Sequence, residues 1–329
     1  MKVIAAIVVL LVASVGLAQA QPASTGSGQA YPSKPVRVVT PYPPGGGADA
    51  AARLVANHLS QALGQPYVIE HKPGGNTLIG TEAVARSPAD GYTLLLTGGS
   101  TMSIQPFVFQ GKLPYDPLRD FAPISMVSRF PFFLVVPVSV PAASLAELVA
   151  LVRAKPGHYS YASNGTGLLS HLGMEILNRS TGMDMVHVPY KGFAPALPDL
   201  LSGRTTAMMA DWVVVAPHVK DGTLRALAVT SRERWSSAPE VPTVAELGHP
   251  GYALDVWFAL FAPAGTPADI VGRLNAEARK FLAMPEAKEA YAKLGHEAYG
   301  SPPEEVNALI RAEQEVYSKI VREAKISAN

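Results

Sequence analysis

Residues that could bind a small ligand are concentrated in turns, and the first of these is Tyr42-Pro-Pro-Gly-Gly-Gly-Ala-Asp49. Three consecutive glycines let the backbone approach a ligand, and the free N–H groups at the head of a following helix attract an anion. A loop that binds nucleotide phosphates would continue with Lys and Ser or Thr, whereas Ala48 and Asp49 follow here. As a ligand, a carboxylate fits this turn better than a triphosphate, and a plain helix entry with Asp49 near the first turn is an equal alternative. Its candidate contacts are Tyr42, Pro44, Gly45, Gly46, Gly47, Ala48 and Asp49.

A second turn, Ser163-Asn-Gly-Thr-Gly167, has a similar composition and precedes a helix-forming segment with His171 in its first turn. It contains a fragment of a dinucleotide fingerprint, but Ser170 replaces the third glycine, and no acidic residue ends a strand about twenty positions later. We therefore predict a second anion-binding turn, formed around Asn164, Gly165 and Thr166, that faces the first turn across a cleft. A ligand with two acid groups, or with one acid group and a polar tail, would fit this pair.

Other candidates carry a weaker signal. A third turn, Thr97-Gly-Gly-Ser-Thr-Met102, offers the hydroxyls of Ser100 and Thr101, although an ordinary loop is the favoured interpretation of it alone. Tyr190 lies in the tight turn Val188-Pro-Tyr-Lys-Gly192, where such residues more often face solvent than a ligand. Asp211 follows a predicted strand, where it could cap a helix, contact a polar ligand group or face water.

The chain lacks recognisable catalytic and metal-binding patterns. It has no G-x-S-x-G motif, no cysteine nucleophile and no paired carboxylates in a polar motif. Its 8 histidines include no pair at the helical spacing of metal ligands. We expect a binding protein without metal or cofactor, and the alternative from another class is a secreted hydrolase that uses the same cleft.

The composition excludes further classes of protein. Lys and Arg number 27 against 26 Asp and Glu, so the net charge of +1 provides no electrostatic footprint for nucleic acid. The chain contains no cysteine, which excludes thiolate zinc sites, iron–sulfur clusters and disulfides. Core burial must therefore stabilise the fold, and 329 residues predict about two domains.

Residues 1–20 predict a secretory signal peptide that is removed from the mature protein. Met1-Lys2 is basic, residues 3–17 are apolar, and Ala18-Gln19-Ala20 has the small residues of a cleavage site. The apolar run is short for a membrane span, so an uncleaved anchor is the less favoured alternative. A small, polar segment follows up to Ala30, and cleavage near Ala30 would fit as well as cleavage after Ala20. Without a cysteine the processed end cannot carry a lipid, so we expect a freely diffusing protein outside the cytoplasm.

These turns need elements to position them, and the chain repeats a pattern of strand, turn and helix. Predicted strands are residues 36–40, 67–70, 92–96, 132–136, 159–162, 186–188, 206–210 and 225–230. Predicted helices between them are residues 48–62, 78–86, 144–155, 168–178 and 194–202. Such alternation requires crossover connections and predicts two α/β lobes with mainly parallel sheets.

Four segments place a hydroxyl side chain three positions before an acid, which is the pattern of a capping box at a helix start. They are Ser144-Leu-Ala-Glu147, Thr243-Val-Ala-Glu246, Thr266-Pro-Ala-Asp269 and Ser301-Pro-Pro-Glu304. The last of them opens a predicted helix with an apolar stripe of Val306, Leu309, Ile310, Val316 and Ile320.

Many short segments of the chain follow one another in a recognisable order. Among them are Tyr31-Pro-Ser-Lys-Pro35, Pro44-Gly-Gly-Gly47, Lys72-Pro-Gly-Gly-Asn76, Asp90-Gly-Tyr-Thr-Leu-Leu-Leu96, Leu113-Pro-Tyr-Asp-Pro117, Tyr161-Ala-Ser-Asn-Gly-Thr166, Val186-His-Val-Pro-Tyr-Lys-Gly192 and Phe261-Ala-Pro-Ala-Gly-Thr-Pro267. From Tyr31 onward the chain resembles the periplasmic substrate-binding receptors of tripartite tricarboxylate transporters, also called the Bordetella uptake gene receptors.

The resemblance implies an α/β protein of the type II periplasmic-binding-protein fold, in which two lobes joined by crossing strands close on a ligand. One lobe would contain residues 31–128 and 229–329 and the other residues 129–228, with a hinge near Ser128 and Val229. The resemblance also implies a periplasmic receptor that presents a small organic carboxylate to integral membrane transporter subunits. The carboxylate could be a dicarboxylate, an amino acid or an aromatic acid, and we expect the receptor to be a monomer.

By position, the resemblance also assigns residues to the ligand. Gly45, Gly46, Gly47 and Ala48 would hold one carboxylate, while Asn164, Gly165, Thr166, His171, Tyr190 and Asp211 would line the other side of the cleft. Three positions depart from the family's pattern. Ala48 stands where many relatives have Thr, and Tyr42 stands where Phe is common. Trp212 follows Asp211 at the place where relatives often have an aromatic residue and an asparagine. Because each departure changes the polarity or size of the pocket, the ligand of a relative does not transfer. A ligand sensor for a two-component system would have the same sequence features.

Overall fold

Paired strands run through the whole of the computed structural model, which describes residues 31–327. The predicted signal peptide, residues 1–20, and the linker up to Ala30 lie outside the described residues. The strands are β1 (Val36–Thr40), β2 (Tyr67–His71), β3 (Thr93–Gly98), β4 (Phe121–Pro137), β5 (Ser160–Ser163), β6 (Val186–Pro189), β7 (Ala207–Asp211), β8 (Leu224–Val229), β9 (Asp255–Pro263) and β10 (Glu297–Ala298). The helices are α1 (Gly47–Leu63), α2 (Leu78–Ala85), α3 (Gln105–Val108), α4 (Leu145–Arg153), α5 (Leu169–Thr181), α6 (Phe193–Leu201), α7 (Trp212–Lys220), α8 (Ala268–Ala283), α9 (Pro285–Lys293) and α10 (Pro303–Glu323), with a π-helical turn at Ser100–Ile104.

The strands follow the order β2-β1-β3-β9-β4-β7-β5-β6, in which β4 connects two sheets. In the first sheet β1 pairs in parallel with β2 and β3, while β9 is antiparallel to β3 and β4. In the second sheet β5 pairs in parallel with β6 and β7, while β7 and β8 are antiparallel to β4. The predicted α/β architecture is confirmed, with parallel pairs at the two outer ends and antiparallel pairs around β4 and β9.

Strand β4 is 17 residues long and passes from one sheet to the other. Its residues 121–131 pair with β9, and residues 132–137 pair with β7 and β8. After β8 the chain returns beside this crossing, where Thr230 N–H donates to Phe132 C=O at 2.9 Å and Leu254 N–H donates to Thr230 C=O at 2.8 Å. Ser128 lies within β4 and Val229 ends β8. The hinge at these positions and the lobe boundaries stay predictions.

Helix α1 shows how local sequence places the first glycine turn. Ala51, Ala52, Val55 and Leu59 are buried on one face of this helix. Gly64 follows its last residue in the left-handed conformation (φ 73°), which a residue without a side chain adopts at little cost. The other end of α1 follows the carboxyl end of β1, which is where open α/β folds bind their ligands.

The capping box at Thr243 does not start a helix. Thr243 N–H donates to Glu246 Oε2 at 2.8 Å and Glu246 N–H donates to Thr243 Oγ1 at 3.0 Å, so both hydrogen bonds of the box form. The chain nevertheless continues in turns to Gly248, whose φ is 98°. At α4 the prediction is right, because Ser144 Oγ accepts a hydrogen bond from Glu147 N–H at 3.2 Å.

Helices α8 and α10 begin close to the predicted positions without the predicted caps. Thr266 Oγ1 donates to Pro263 C=O, and Ser301 Oγ donates to Pro302 C=O, so neither hydroxyl caps its helix. The predicted stripe of α10 was wrong at Val316, which is 54% exposed. The buried residues of α10 are Val306, Ile310, Tyr317 and Val321.

Candidate functional site

The head of α1 carries the glycine triplet. Gly46 precedes the helix in an extended conformation (φ −98°, ψ 178°), and Gly47 and Ala48 are buried in its first turn. Gly46 C=O accepts a hydrogen bond from Ala50 N–H at 3.1 Å, which closes that turn. Because the first N–H groups of a helix have no partner within the helix, this end can bind an anion.

Asp49 fixes the loop that leads into α1. Its Oδ2 accepts a hydrogen bond from Gly45 N–H at 3.1 Å, and its Oδ1 lies 2.9 Å from Arg53 Nε and 3.2 Å from His71 Nε2. The side chain is buried, and neither Asp49 nor Gly45 belongs to the walls of the two cavities at this end of the helix. The carboxylate therefore holds the glycine turn in place from behind.

Two adjoining cavities lie between the head of α1 and the second turn. The outer cavity encloses about 1090 Å³ and the inner cavity about 580 Å³, open mouths included. Tyr42, Pro43, Asn164 and Gly192 belong to the walls of both, so the two cavities are neighbours. The inner cavity is further lined by Pro44, Gly46, Gly47, Ala48, Gly98, Gly99, Ser100, Phe130, Phe132, Phe193, Ala194, Asp211, Val256 and Phe258.

Aromatic rings from separate elements meet in the inner cavity. The ring centroids of Phe130 and Phe258 are 5.1 Å apart, and those of Phe132 and Phe193 are 5.5 Å apart in an edge-on arrangement. The Tyr42 ring packs against Phe258 with a centroid distance of 6.0 Å. Burial raises the pKa of Tyr42, so its hydroxyl is neutral at pH 7.

Asp211 is buried in the wall of the inner cavity. It is 2% exposed, and both its carboxylate oxygens lie 3.1 Å from His296 Nε2. Its Oδ1 also accepts a hydrogen bond from Val213 N–H at 3.3 Å, so Asp211 caps α7 while it lines the cavity. Phe130 stacks on the His296 ring with centroids 3.8 Å apart. Gly47 packs so close to this pair that a β-carbon there would lie 1.8 Å from Asp211 Oδ2.

The second turn uses its backbone donors within the protein. Three N–H groups are occupied in this way: Asn164 donates to Ser170 Oγ at 3.2 Å, Gly165 to Ser163 Oγ at 3.2 Å and Gly167 to His171 Nδ1 at 2.9 Å. These groups are therefore engaged in holding the shape of the turn. A carboxylate that bound to them would have to displace those bonds.

His171 and His187 stack behind the second turn with ring centroids 3.7 Å apart. Burial lowers the pKa of His171 to about 3 and that of His187 to about 4, so both rings are neutral at pH 7. A neutral ring can accept a hydrogen bond, as Nδ1 of His171 does from Gly167 N–H. The histidine pair therefore supports the turn, and His171 belongs to the walls of neither cavity.

Hydrogen bonds join the two sides of the cleft. Asn76 Nδ2 donates to Thr166 C=O. Leu169 N–H, at the start of α5, donates to Ser100 Oγ at 3.0 Å. Asn76 and Ser100 follow strands of the first sheet, whereas Thr166 and Leu169 follow β5 of the second. The structure thus shows the cleft with its walls in contact.

Most of the predicted contact residues meet at these cavities. Tyr42 and Asn164 line both; Pro44, Gly46, Gly47, Ala48, Ser100 and Asp211 line the inner one; Gly165, Thr166 and Tyr190 line the outer one. Gly45, Asp49, Thr101 and His171 line neither, and Thr101 Oγ1 instead lies 3.1 Å from the Tyr42 hydroxyl. The part of each residue in ligand binding stays a prediction.

Sequence analysis missed several residues of this site. Phe130 and Phe132 belong to the segment Phe130-Pro-Phe-Phe133, whose composition is more typical of a core between lobes than of a binding site, yet both line the inner cavity. No local pattern marks Phe193, Phe258 or His296 as part of a site. Residues 31–327 contain no group of three or more His, Asp or Glu side chains arranged to hold a metal ion. The same residues form no helix that is long and apolar enough to cross a membrane.

Comparisons with known proteins place this geometry among solute receptors. The profile of the tripartite tricarboxylate transporter family receptor matches residues 51–326. Protein BugT of Bordetella pertussis (strain Tohama I) is 37% identical over 318 residues, which cover 97% of this chain and 96% of BugT. The structure of Rpa4515 from R. palustris with adipate has a TM-score of 0.88 at 35% identity, covering 90% of this chain and 99% of that one. The structure of the periplasmic binding protein BugD has a TM-score of 0.85 at 31% identity, covering 91% of this chain and 100% of that one.

Proposed function

The chain belongs to the tripartite tricarboxylate transporter receptor family, and we propose that it binds a small organic carboxylate in the inner cavity and delivers it to a membrane transporter. The family consists of solute-binding receptors rather than enzymes, which removes the secreted hydrolase from consideration. The observation that carries the proposal is the head of α1 in the wall of the inner cavity. The relative from R. palustris was solved with adipate, which is a carboxylate.

The head of α1 can hold a carboxylate without a cationic side chain. N–H groups at a helix start carry partial positive charge, and hydrogen bonds to an ionised acceptor are stronger than those between neutral groups. A β-carbon on Gly46 would meet no heavy atom within 4 Å, so the backbone at this position is open to a ligand. When the cleft walls exclude water, the lower dielectric strengthens these hydrogen bonds further.

Binding is coupled to closure in this proposal. The head of α1 follows a strand of the first sheet, whereas Asn164 follows β5 and Asp211 ends β7 in the second sheet. A ligand held between them draws the two sides together by hinge motion near Ser128 and Val229. The mature protein acts in the periplasm as a monomer without a lipid anchor, and the transporter subunits receive the ligand from the closed form.

A thermal-shift screen of the mature protein tests the proposal. The panel contains benzoate, adipate, malate, citrate and aspartate, with the uncharged methyl esters of benzoate and adipate as matched controls. A ligand that binds only the folded state at 100 times its Kd stabilises that state by about 2.7 kcal/mol, which raises Tm measurably. At least one free acid should do so and its ester should not. If no carboxylate raises Tm, the protein is not a carboxylate receptor.

A further inference from the structure

Five aromatic rings contribute to the walls of the inner cavity. Tyr42, Phe130, Phe132, Phe193 and Phe258 all contribute to its walls. Aromatic rings attract one another in edge-on and offset contacts beyond the effect of buried area alone. A flat apolar group fits between such rings, whereas hydroxyl groups packed against the rings would lose hydrogen bonds to water without recovering them from the rings.

The charged side chain in this wall is negative. Asp211 lines the inner cavity, and the described residues that surround it there include no Lys or Arg. Lys191 belongs to the wall of the outer cavity instead. A second ligand carboxylate in the inner cavity would lie beside the Asp211 carboxylate, and the cavity wall provides no Lys or Arg side chain to offset the repulsion.

The second turn offers little to a second carboxylate. Its N–H groups at Asn164, Gly165 and Gly167 already donate to side chains of the protein. The N–H of Leu169, at the start of the following helix, donates to Ser100 across the cleft. The second turn thus offers a ligand few free donors. The heads of α1 and of α6, at Phe193 and Ala194, both line the inner cavity, and we place the ligand carboxylate at the head of α1 with an apolar body beyond it.

We propose that the ligand of this protein is an aromatic monocarboxylate. Its carboxylate binds at the head of α1, and its ring lies among Phe132, Phe193 and Phe258. Asp211 determines specificity by repelling a second carboxylate on the opposite wall. The inference rests on the proposed function, because it names the class of ligand for the same site.

Titration calorimetry with benzoate, adipate and citrate tests the ligand class. We expect the Kd for benzoate to be at least about tenfold lower than that for adipate, and citrate to bind more weakly still. Equal or tighter binding of adipate or citrate would overturn the ligand class and leave the carboxylate receptor intact. If none of the three acids binds while malate or aspartate raises Tm, the inference fails alone; if no acid of the thermal-shift panel raises Tm, the proposed function fails as well.

Removing one ring from the inner cavity tests where the ligand body lies. Phe193 is half-buried, so Phe193→Ala should fold and should raise the Kd for benzoate about tenfold. Phe109→Ala is the matched control, because Phe109 lines the outer cavity and not the inner one. The Kd of this variant for benzoate should equal that of the wild type. The melting temperature of each variant shows that it folds. Equal losses in the two variants, or none in Phe193→Ala, would place the ring elsewhere.

Neutralising Asp211 tests the specificity. Asp211→Asn keeps a side chain that caps α7 and removes the negative charge. The Kd for adipate should therefore fall at least about tenfold relative to the Kd for benzoate. Lys191→Ala is the matched control, and it should leave the ratio of the two Kd values unchanged. An unchanged ratio in Asp211→Asn, or a change in Lys191→Ala, would show that Asp211 does not exclude the second carboxylate.

Discussion

Replacing Gly47 by alanine should weaken ligand binding without unfolding the protein. Gly47 lies at the head of α1, opposite Asp211 on the other side of the cleft. A β-carbon on Gly47 would lie 1.8 Å from Asp211 Oδ2 and 2.9 Å from His296 Cε1, and real β-carbons essentially never show contacts under 3.0 Å. The closed cleft therefore cannot accept the methyl group unless Asp211 moves or the two sides stay apart.

The structure gives the size of this effect. Asp211 is 2% exposed and is held by His296 Nε2, 3.1 Å from both of its oxygens. If the carboxylate moves aside, a buried ionised group loses its partner, which costs about 3 kcal/mol at the lower end of measured values. If the two sides stay apart instead, the ligand loses the contacts of one wall. A penalty of about 3 kcal/mol raises Kd about 100-fold.

Titration calorimetry measures this loss with the acid that gives the largest thermal shift, and small-angle X-ray scattering measures closure. Gly272→Ala is the matched control, because Gly272 lies exposed on α8 and a β-carbon there would meet nothing within 4 Å. That exchange should stabilise the helix by about 1 kcal/mol and leave Kd unchanged. If Gly47→Ala binds and closes like the wild type, the contact between Gly47 and Asp211 is not part of the bound state, and the reasoning is refuted.

Three further substitutions test two other parts of the cleft and one buried carboxyl outside it. Gly46→Val should abolish carboxylate binding, because the valine side chain would fill the space before the helix head. The variant should still fold, because the φ of −98° at this position suits any residue. An unchanged Kd would show that the site lies elsewhere. Ser100→Ala removes the acceptor of the Leu169 N–H, which costs about 1 kcal/mol and should raise Kd about fivefold. Equal Kd values for the variant and the wild type would show that this hydrogen bond is absent from the bound form. Burial raises the pKa of Glu313 to about 7, above its value in the unfolded chain, so stability is lost as the pH rises through 7. Glu313→Gln should flatten that loss in urea unfolding between about pH 5 and 8, and an unchanged slope would contradict the assignment.

The alternation of strands and helices could be predicted because its signals are local. The strand predicted at residues 36–40 is β1 to the residue, and the helix predicted at residues 48–62 is α1, which extends one residue further at each end and is followed by Gly64. β-Branched runs, apolar residues at helical spacing and a terminal glycine each act over a few residues, so the sequence alone contains them.

Two central strands could not be predicted in the same way. Only residues 132–136 of β4 were predicted as a strand, because Pro123 and Pro131 normally indicate a break. Strand β9 was missed altogether, since its residues 256–262 form an apolar run without alternation. Both faces of β9 are buried between β3 and β4, which come from distant parts of the chain. Such strands are defined by their partners rather than by their own pattern.

The site could be predicted at its backbone and not at its side chains. The glycine turn at residues 44–47 was found because helix heads bind anions whatever surrounds them. The direction of Asp49 could not be inferred, because it depends on His71 from β2, and that of His171 depends on His187 from β6. His296 is 85 residues from Asp211 in the chain, and the fold alone brings them together.

The inner cavity places a helix head and a carboxylate on opposite walls. Gly46 and Gly47 line it at the head of α1, and Asp211 lines it on the other side of the cleft. His296 Nε2 faces both oxygens of Asp211 and donates a hydrogen bond to them, which keeps that carboxylate in the wall. A chain with a net charge of +1 can in this way bind one anion at a helix head and repel a second from the opposite wall, which its composition does not reveal.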